Sequence, residues 1–290
     1  MSNPNLWIFG EVLFDTFPNG IAVLGGAPFN VAWNLAAFQA DPKIITAVGD
    51  DPPGREIQER MERWKMCRDH LAIIPEYPTG KVTVSLSSGE PSYTLEENQA
   101  YDNIPLNCLP KQTTGLLYFG SLALRTAHNR HILSELRKHH QGKLFVDINL
   151  RPPFWTKDNV LELFNGVHWL KLNESELSQL SEESDTETAA QQLKAQYNME
   201  GIVVTCGSRG AFALGQDNHI IRVKPKQVQK VQDTVGAGDA FASVLLLGLL
   251  RSWPLEDTLT RAQDFASAVV SIQGAVSTTP EFYQTYLQSW

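Results

Sequence analysis

Cysteine is scarce: this chain of 290 residues has only Cys67, Cys108 and Cys206. An odd count at wide spacing excludes a disulfide framework and a zinc pattern, and a reducing compartment, the cytoplasm, is expected. The seven histidines form no H-E-x-x-H, and His139-His140 reads as surface rather than as a metal ligand. No apolar stretch approaches the roughly 20 residues that span a bilayer. Met1 to Gly10 carries no basic segment and no cleavage signature. Positive charge is also in deficit: the net charge is -8 and the pI about 5.4, which argues against nucleic acid or an anionic membrane as the main partner. Three phosphate-site signatures are missing as well. There is no G-x-x-x-x-G-K-[ST] loop and no H-R-D catalytic loop, and a Rossmann G-x-G-x-x-G would need glycine where Phe241 stands.

What is present is enough apolar residue, 42%, and ordinary charge, 19%, for one large α/β domain or two small ones. Leu6 to Gly10 reads as a buried strand, Val31 to Phe38 as a helix after a glycine turn, Ile44 to Gly49 as a strand and Gly54 to Lys65 as an amphipathic helix. Gly80 to Ser88 alternates apolar and polar residues, and Ser92 to Leu95 resumes the pattern after Gly89-Glu-Pro91, which predicts an antiparallel hairpin. From Leu116 the strand–helix rhythm returns, with short apolar runs at 116–119, 144–147, 169–172 and 202–205. That order predicts a mostly parallel sheet covered on both faces. Such sheets bind ligands at the carboxyl ends of their strands, so Asp147, Asn149, Asn173, Thr205 and Gly207 are expected to face one crevice. The charged run Ser181 to Glu187 reads as a solvated loop or helix start.

The most informative stretch is Asp233-Thr-Val-Gly-Ala-Gly-Asp-Ala-Phe241, a glycine turn directly before the apolar run to Leu250. A glycine turn at a helix start presents free N–H groups at the positive end of a dipole, a place for an anion and most often for phosphate. Asp239 would repel that anion, so its presence points to chemistry: a general base that deprotonates a hydroxyl while the N–H groups stabilise a transferring phosphoryl group. Weaker motifs surround it. Gly25-Gly-Ala-Pro-Phe-Asn30 offers backbone approach to a small ligand or is a plain turn with an Asn cap. Asp15 is a turn aspartate or an acceptor for sugar hydroxyls. Arg151, in Asp147-Ile-Asn-Leu-Arg151, faces a substrate carboxylate or phosphate, or pairs with Asp147. Asn173-x-x-Glu176 is a capping box, a holder of Mg²⁺ waters, or both. Thr205-Cys-Gly-Ser-Arg-Gly210 ends a strand in a turn whose donors suit nucleotide phosphates.

Taken in order, from Gly10 to about Thr279, these motifs resemble the ribokinase-like (PfkB) carbohydrate kinases. Gly25-Gly-Ala-Pro-Phe-Asn-Val-Ala32 is similar to the family's N-terminal signature and Asp233 to Phe241 to its C-terminal one. The resemblance implies a three-layer αβα fold with a mostly parallel central sheet and a small antiparallel β lid. It implies one kinase domain over 1–290, with the lid built from about 12–24 and 78–103 and serving also as a homodimer contact. It makes Asp239 the base, and the amides of Gly236, Ala237 and Gly238 the anion hole. Asp15, Gly25, Gly26, Asn30 and Arg151 would contact the sugar. Asn173, Thr205, Gly207, Gly210 and Gly238 would line the nucleotide, with Glu176 ordering Mg²⁺ through water. Asp233 and Val235 would border a K⁺ site, although Phe265 to Ala275 opposite is several residues shorter than in ribokinase-type members. The Gly-Ala-Pro version of the first signature resembles fructokinases and 2-keto-3-deoxygluconate kinases. The expected reaction is ATP-dependent phosphorylation of fructose to fructose 6-phosphate. The keto-acid, a nucleoside, or a catalytically silent sugar- or nucleotide-binding role stand as alternatives.

Overall fold

The computed structural model describes residues 5–87, 90–226 and 231–290. Residues 1–4 and the hairpin turn expected at Gly89 lie outside the described residues. In chain order the elements are β1 (Leu6–Phe9), β2 (Leu13–Thr16), β3 (Ala22–Gly25), α1 (Ala27–Ala37), β4 (Lys43–Val48), α2 (Pro52–Arg63), β5 (Leu71–Ile73), β6 (Gly80–Ser87), β7 (Glu90–Leu95), β8 (Thr113–Gly120), α3 (Ala127–Lys138) and β9 (His140–Asp147). They continue with α4 (Lys157–Leu163), β10 (Trp169–Asn173), α5 (Glu174–Leu180), α6 (Thr186–Gln196), β11 (Gly201–Thr205), β12 (Ala211–Leu214), β13 (Ile220–Val223), α7 (Ala237–Leu250), α8 (Leu255–Val269) and α9 (Pro280–Ser289).

The large sheet runs β13-β12-β11-β10-β9-β8-β1-β4-β5 and is parallel from β11 to β5, with β12 and β13 antiparallel at one edge. β1 shows why helices must cover both faces. Leu6 and Ile8 pack with residues of α1, α7 and α8, whereas Trp7 and Phe9 pack with residues of α3, α5 and α6. A strand apolar on both sides of its pleat can only sit between two helical layers. β1 is also where the chain changes direction: β4 lies on one side of it and β8 on the other. Ligands of open α/β sheets bind outside the strand ends at such a switch point. Among the described residues, no helix is long and apolar enough to cross a membrane.

A second sheet, β3-β2-β6-β7, rises beside the switch point. Its two antiparallel hairpins meet along a parallel β2·β6 pairing, Leu13 opposite Gly80 and Asp15 opposite Val82. Leu13 and Val82 anchor it on Tyr101, Leu122 and Ala123. Two helices begin earlier than the sequence pattern predicts. α1 starts at Ala27 instead of Val31, because Pro28 fits the first turn, where its missing N–H is no loss. α2 starts at Pro52 instead of Gly54, capped by the Asp51 carboxylate, which accepts from Gly54 N at 2.8 Å.

Candidate active site

The start of α7 leaves first-turn backbone amides without partners. Gly236 has φ 80°, left-handed backbone that favours glycine, and a Cβ there would lie 2.4 Å from Ala275 Cα. The loop after α8 therefore clamps the turn. α7 has no side-chain cap. Ala237 N–H leans back to Thr234 O at 3.4 Å, so the amides of Gly238 and Asp239 are the first-turn donors left facing outward. Gly236→Ala is expected to destabilise the fold by about 2–4 kcal/mol, from left-handed strain together with overpacking against Ala275. Urea unfolding with an unchanged m-value would show it.

Asp239 projects from this first turn, half-buried. Its Oδ2 accepts Asn30 Nδ2 at 2.8 Å, which joins α7 to the first turn of α1. Asn30 is thus not a helix cap; Gly26, at φ 100°, holds the cap position, and Asn30 reaches forward from the helix instead. Burial pushes the Asp239 carboxyl up to about 7; Asp147 adds to this, while the Asn30 hydrogen bond, Lys171 and Arg151 pull it back. Asp15 lies in strand β2 rather than in a turn, with its Oδ2 beside Gly25, where a Cβ would approach to 3.1 Å. Burial raises its carboxyl to about 6 against the pull of Arg151.

Arg151 makes no ion pair with a described residue; its Nη1 donates to Leu150 O at 3.2 Å, and its charge reaches both Asp15 and Asp239. The pairing of Arg151 with Asp147 considered from the sequence does not form. Asp147 is taken by Lys171, whose Nζ lies 2.7 and 3.0 Å from its two oxygens, and by the Tyr118 hydroxyl at 3.2 Å. Register explains the exchange: Lys171 stands directly opposite Asp147 across the β9–β10 ladder. Lys171 Nζ is also 3.8 Å from where a Gly238 Cβ would stand, so a buried ammonium lies behind the anion turn. Burial lowers the Lys171 pKa, but Asp147 first, then Asp239 and Glu176, outweigh it and hold the amine charged.

At the ends of β10 and β11, Asn173 sits opposite Thr205. Asn173 caps α5 in a reciprocal box: its Oδ1 accepts Glu176 N at 2.9 Å and Glu176 Oε2 accepts Asn173 N at 2.8 Å. Glu176 Oε1 accepts Leu150 N at 3.0 Å, and burial raises its carboxyl. Gly207 and Gly210 bound an open turn closed by Cys206 N–H on Gly210 O at 2.7 Å. Asp233 latches the α7 turn to the neighbouring loop: Oδ1 accepts Val235 N at 2.9 Å and Oδ2 accepts Gly274 N at 3.2 Å.

Two buried residues of this centre escaped the sequence reading as site residues. Lys171 carried a signal, a lone cation inside the apolar run Trp169 to Leu172, which has to find an anion. Glu11 carried a fainter one, a carboxylate immediately after the glycine that follows β1; it is 1% exposed and its Oε2 accepts Ala123 N at 3.2 Å.

An uncapped glycine turn beside a carboxylate, at the switch point of a three-layer α/β fold, is an arrangement suited to phosphoryl transfer. The chain belongs to the pfkB family of carbohydrate kinases, whose model matches residues 18–281. It is 30% identical to a fructokinase of Klebsiella pneumoniae over 98% of this chain and 96% of that protein. A fructokinase from Vibrio cholerae, solved with fructose, ADP and calcium, is similar at TM-score 0.82 and 25% identity over 98% of this chain and 99% of that one. The aminoimidazole riboside kinase of Salmonella enterica shares the fold at TM-score 0.83 and 23% identity, over 98% and 99%.

Proposed function

We propose that this enzyme transfers the γ-phosphoryl group of ATP to a primary sugar hydroxyl, with fructose giving fructose 6-phosphate as the first choice. The observation that carries the reading is the uncapped α7 turn with Asp239 held on it by Asn30. The acceptor lies between Asp15, Gly25, Gly26 and Asn30, so that its hydroxyl meets Asp239. Asp239 takes the proton as the oxygen attacks. The Gly238 and Asp239 amides stabilise charge on the transferring oxygens, and the Lys171 ammonium behind them deepens the positive potential. Thr205, Gly207 and Gly210 follow the nucleotide. In this reading residues 1–290 act as one domain, and the β2–β3 and β6–β7 sheet closes over the acceptor to exclude water.

Mg²⁺ would be carried by the triphosphate. No group of three or more metal-binding side chains occurs among the described residues, and Glu176 has both oxygens on backbone amides, which fits holding metal-bound water better than direct ligation. Bound there, Mg²⁺ offsets phosphate charge. The Asp233 oxygens also face amides, so the K⁺ wall implied by Asp233 and Val235 would rest on backbone carbonyls.

One observation favours a second acceptor: Arg151 has no ion-pair partner among the described residues and faces the acceptor side. A free cation there suits the carboxylate of 2-keto-3-deoxygluconate. ATP-dependent turnover on fructose, 2-keto-3-deoxygluconate, ribose and adenosine in parallel separates the readings. Arg151→Ala is expected to raise KM by roughly 10-fold or more for the keto-acid, as loss of a charged hydrogen bond does, and by far less for fructose. Turnover on none of the four would sink the kinase reading, and preference for adenosine would sink the sugar.

A further inference from the structure

Glu11 has no role in the centre as described so far, yet it is locked to it. A Cβ on Gly26 would lie 2.7 Å from the Glu11 carbonyl oxygen, so the glycine turn rests on the Glu11 backbone. Gly26 O accepts Asn30 N at 2.9 Å, and Asn30 holds Asp239 at 2.8 Å. The side chain is anchored too, by Ala123 N and by its own amide. Glu11, Gly26, Asn30 and Asp239 therefore form one mechanical series.

The charges around Glu11 are unbalanced. Asp239 faces it from α7, Arg125 from the turn after β8, Tyr101 from the turn after the lid and Tyr118 from β8. Arg125 is the near cation, but it is bound bidentately to Asp102 at 2.7 and 2.6 Å and to Glu96 O. No described cation pairs with Glu11. A buried carboxylate with two amides and no counter-ion, beside a second carboxylate, is costly to ionise. The transferring phosphoryl group would bring more negative charge into the same space.

We propose that Glu11 is a positioning residue for the transfer, working as an uncharged acid that keeps the space beside Asp239 free of a second negative charge. The environment agrees: burial, and then Asp239, push its carboxyl up to about 7 against its amide partners and Arg125. Two such carboxyls titrate as a coupled pair: the first ionisation leaves the centre with one negative charge, and the second closes it.

The proposal rests on Asp239 as the base, and its test is kcat/KM for the acceptor against pH. Wild-type enzyme is expected to give a bell, with an alkaline arm above neutrality. Glu11→Gln keeps the shape and the uncharged state but cannot ionise. It is expected to retain the acid arm, to lose the alkaline arm, and to peak about fivefold lower because one hydrogen bond is imperfectly replaced. A wild-type profile with no alkaline arm up to pH 9 overturns the proposal without any variant. An alkaline arm unchanged in Glu11→Gln overturns it, and so does a folded Glu11→Gln that is inactive at every pH, or one that fails to fold, since the amide is the nearest uncharged stand-in. Asp239→Asn run alongside separates the two claims: near-wild-type turnover by that variant sinks the base assignment, whereas the change of the alkaline arm in Glu11→Gln tests Glu11.

Discussion

Asp239→Asn is expected to lower kcat by roughly 10² to 10⁴-fold while leaving fold and ATP binding in place. The amide is isosteric and still accepts from Asn30, so the α1–α7 link survives. What it cannot do is take a proton. The stability of this variant carries a second, opposite signal. Burial raises the Asp239 carboxyl from its ordinary value to about 7, so its ionised form is disfavoured in the folded protein. For a group raised in this direction, stability is fully present below the unfolded carboxylate pKa, near 4, and is lost as pH rises through about 7. Removing the carboxylate should therefore raise the melting temperature at pH 8, with the difference shrinking toward pH 5. Loss of activity together with gain of stability is the mark of a residue placed for chemistry. Loss of both would point to a scaffold role.

Lys171→Met is expected to destabilise the protein by about 3–5 kcal/mol, because it leaves Asp147 buried with no cation. For a chain of this size that is a fall in melting temperature of roughly 6–20 °C. Pairing the change with Asp147→Asn removes the stranded charge and should recover much of the loss. Activity should not follow. With the ammonium gone from behind Gly238, the proposed stabilisation of the phosphoryl oxygens is lost, and the stable double variant is expected to stay at least 10-fold below wild type in kcat. Recovery of both stability and kcat would confine the pair to a structural role.

Local features of this chain were legible and distant pairings were not. The α7 turn announced itself because Gly236, Gly238 and Asp239 lie within four residues of a buried helix, and the physics of a helix start needs nothing further away. Asn173 and Glu176 were readable as a cap for the same reason, and the structure shows both halves of the box. α1 starts four residues before Val31 because Pro28, a common turn former, has a fixed φ that also suits a first helical turn. Lys171 and Glu11 were missed because their partners are remote: Asp147 is 24 residues from Lys171, and Ala123 is 112 from Glu11. Asn30 and Asp239 are 209 residues apart, and only the packing of α1 against α7 within one helical layer brings them together. The alternation of Gly80 to Leu95 fixed which side chains share a face; it could not fix that β6 lies parallel beside β2.

The central claim is that a sugar hydroxyl is deprotonated by Asp239 at the α7 turn, and the pH dependence of kcat/KM for fructose at saturating ATP and Mg²⁺ tests it most directly. An acid arm with an apparent pKa near 7 is predicted, well above an ordinary carboxylate, because burial holds Asp239 there. The arm should be absent from the residual activity of Asp239→Asn. A profile flat down to pH 5, or an acid arm that persists unchanged in Asp239→Asn, would contradict the account.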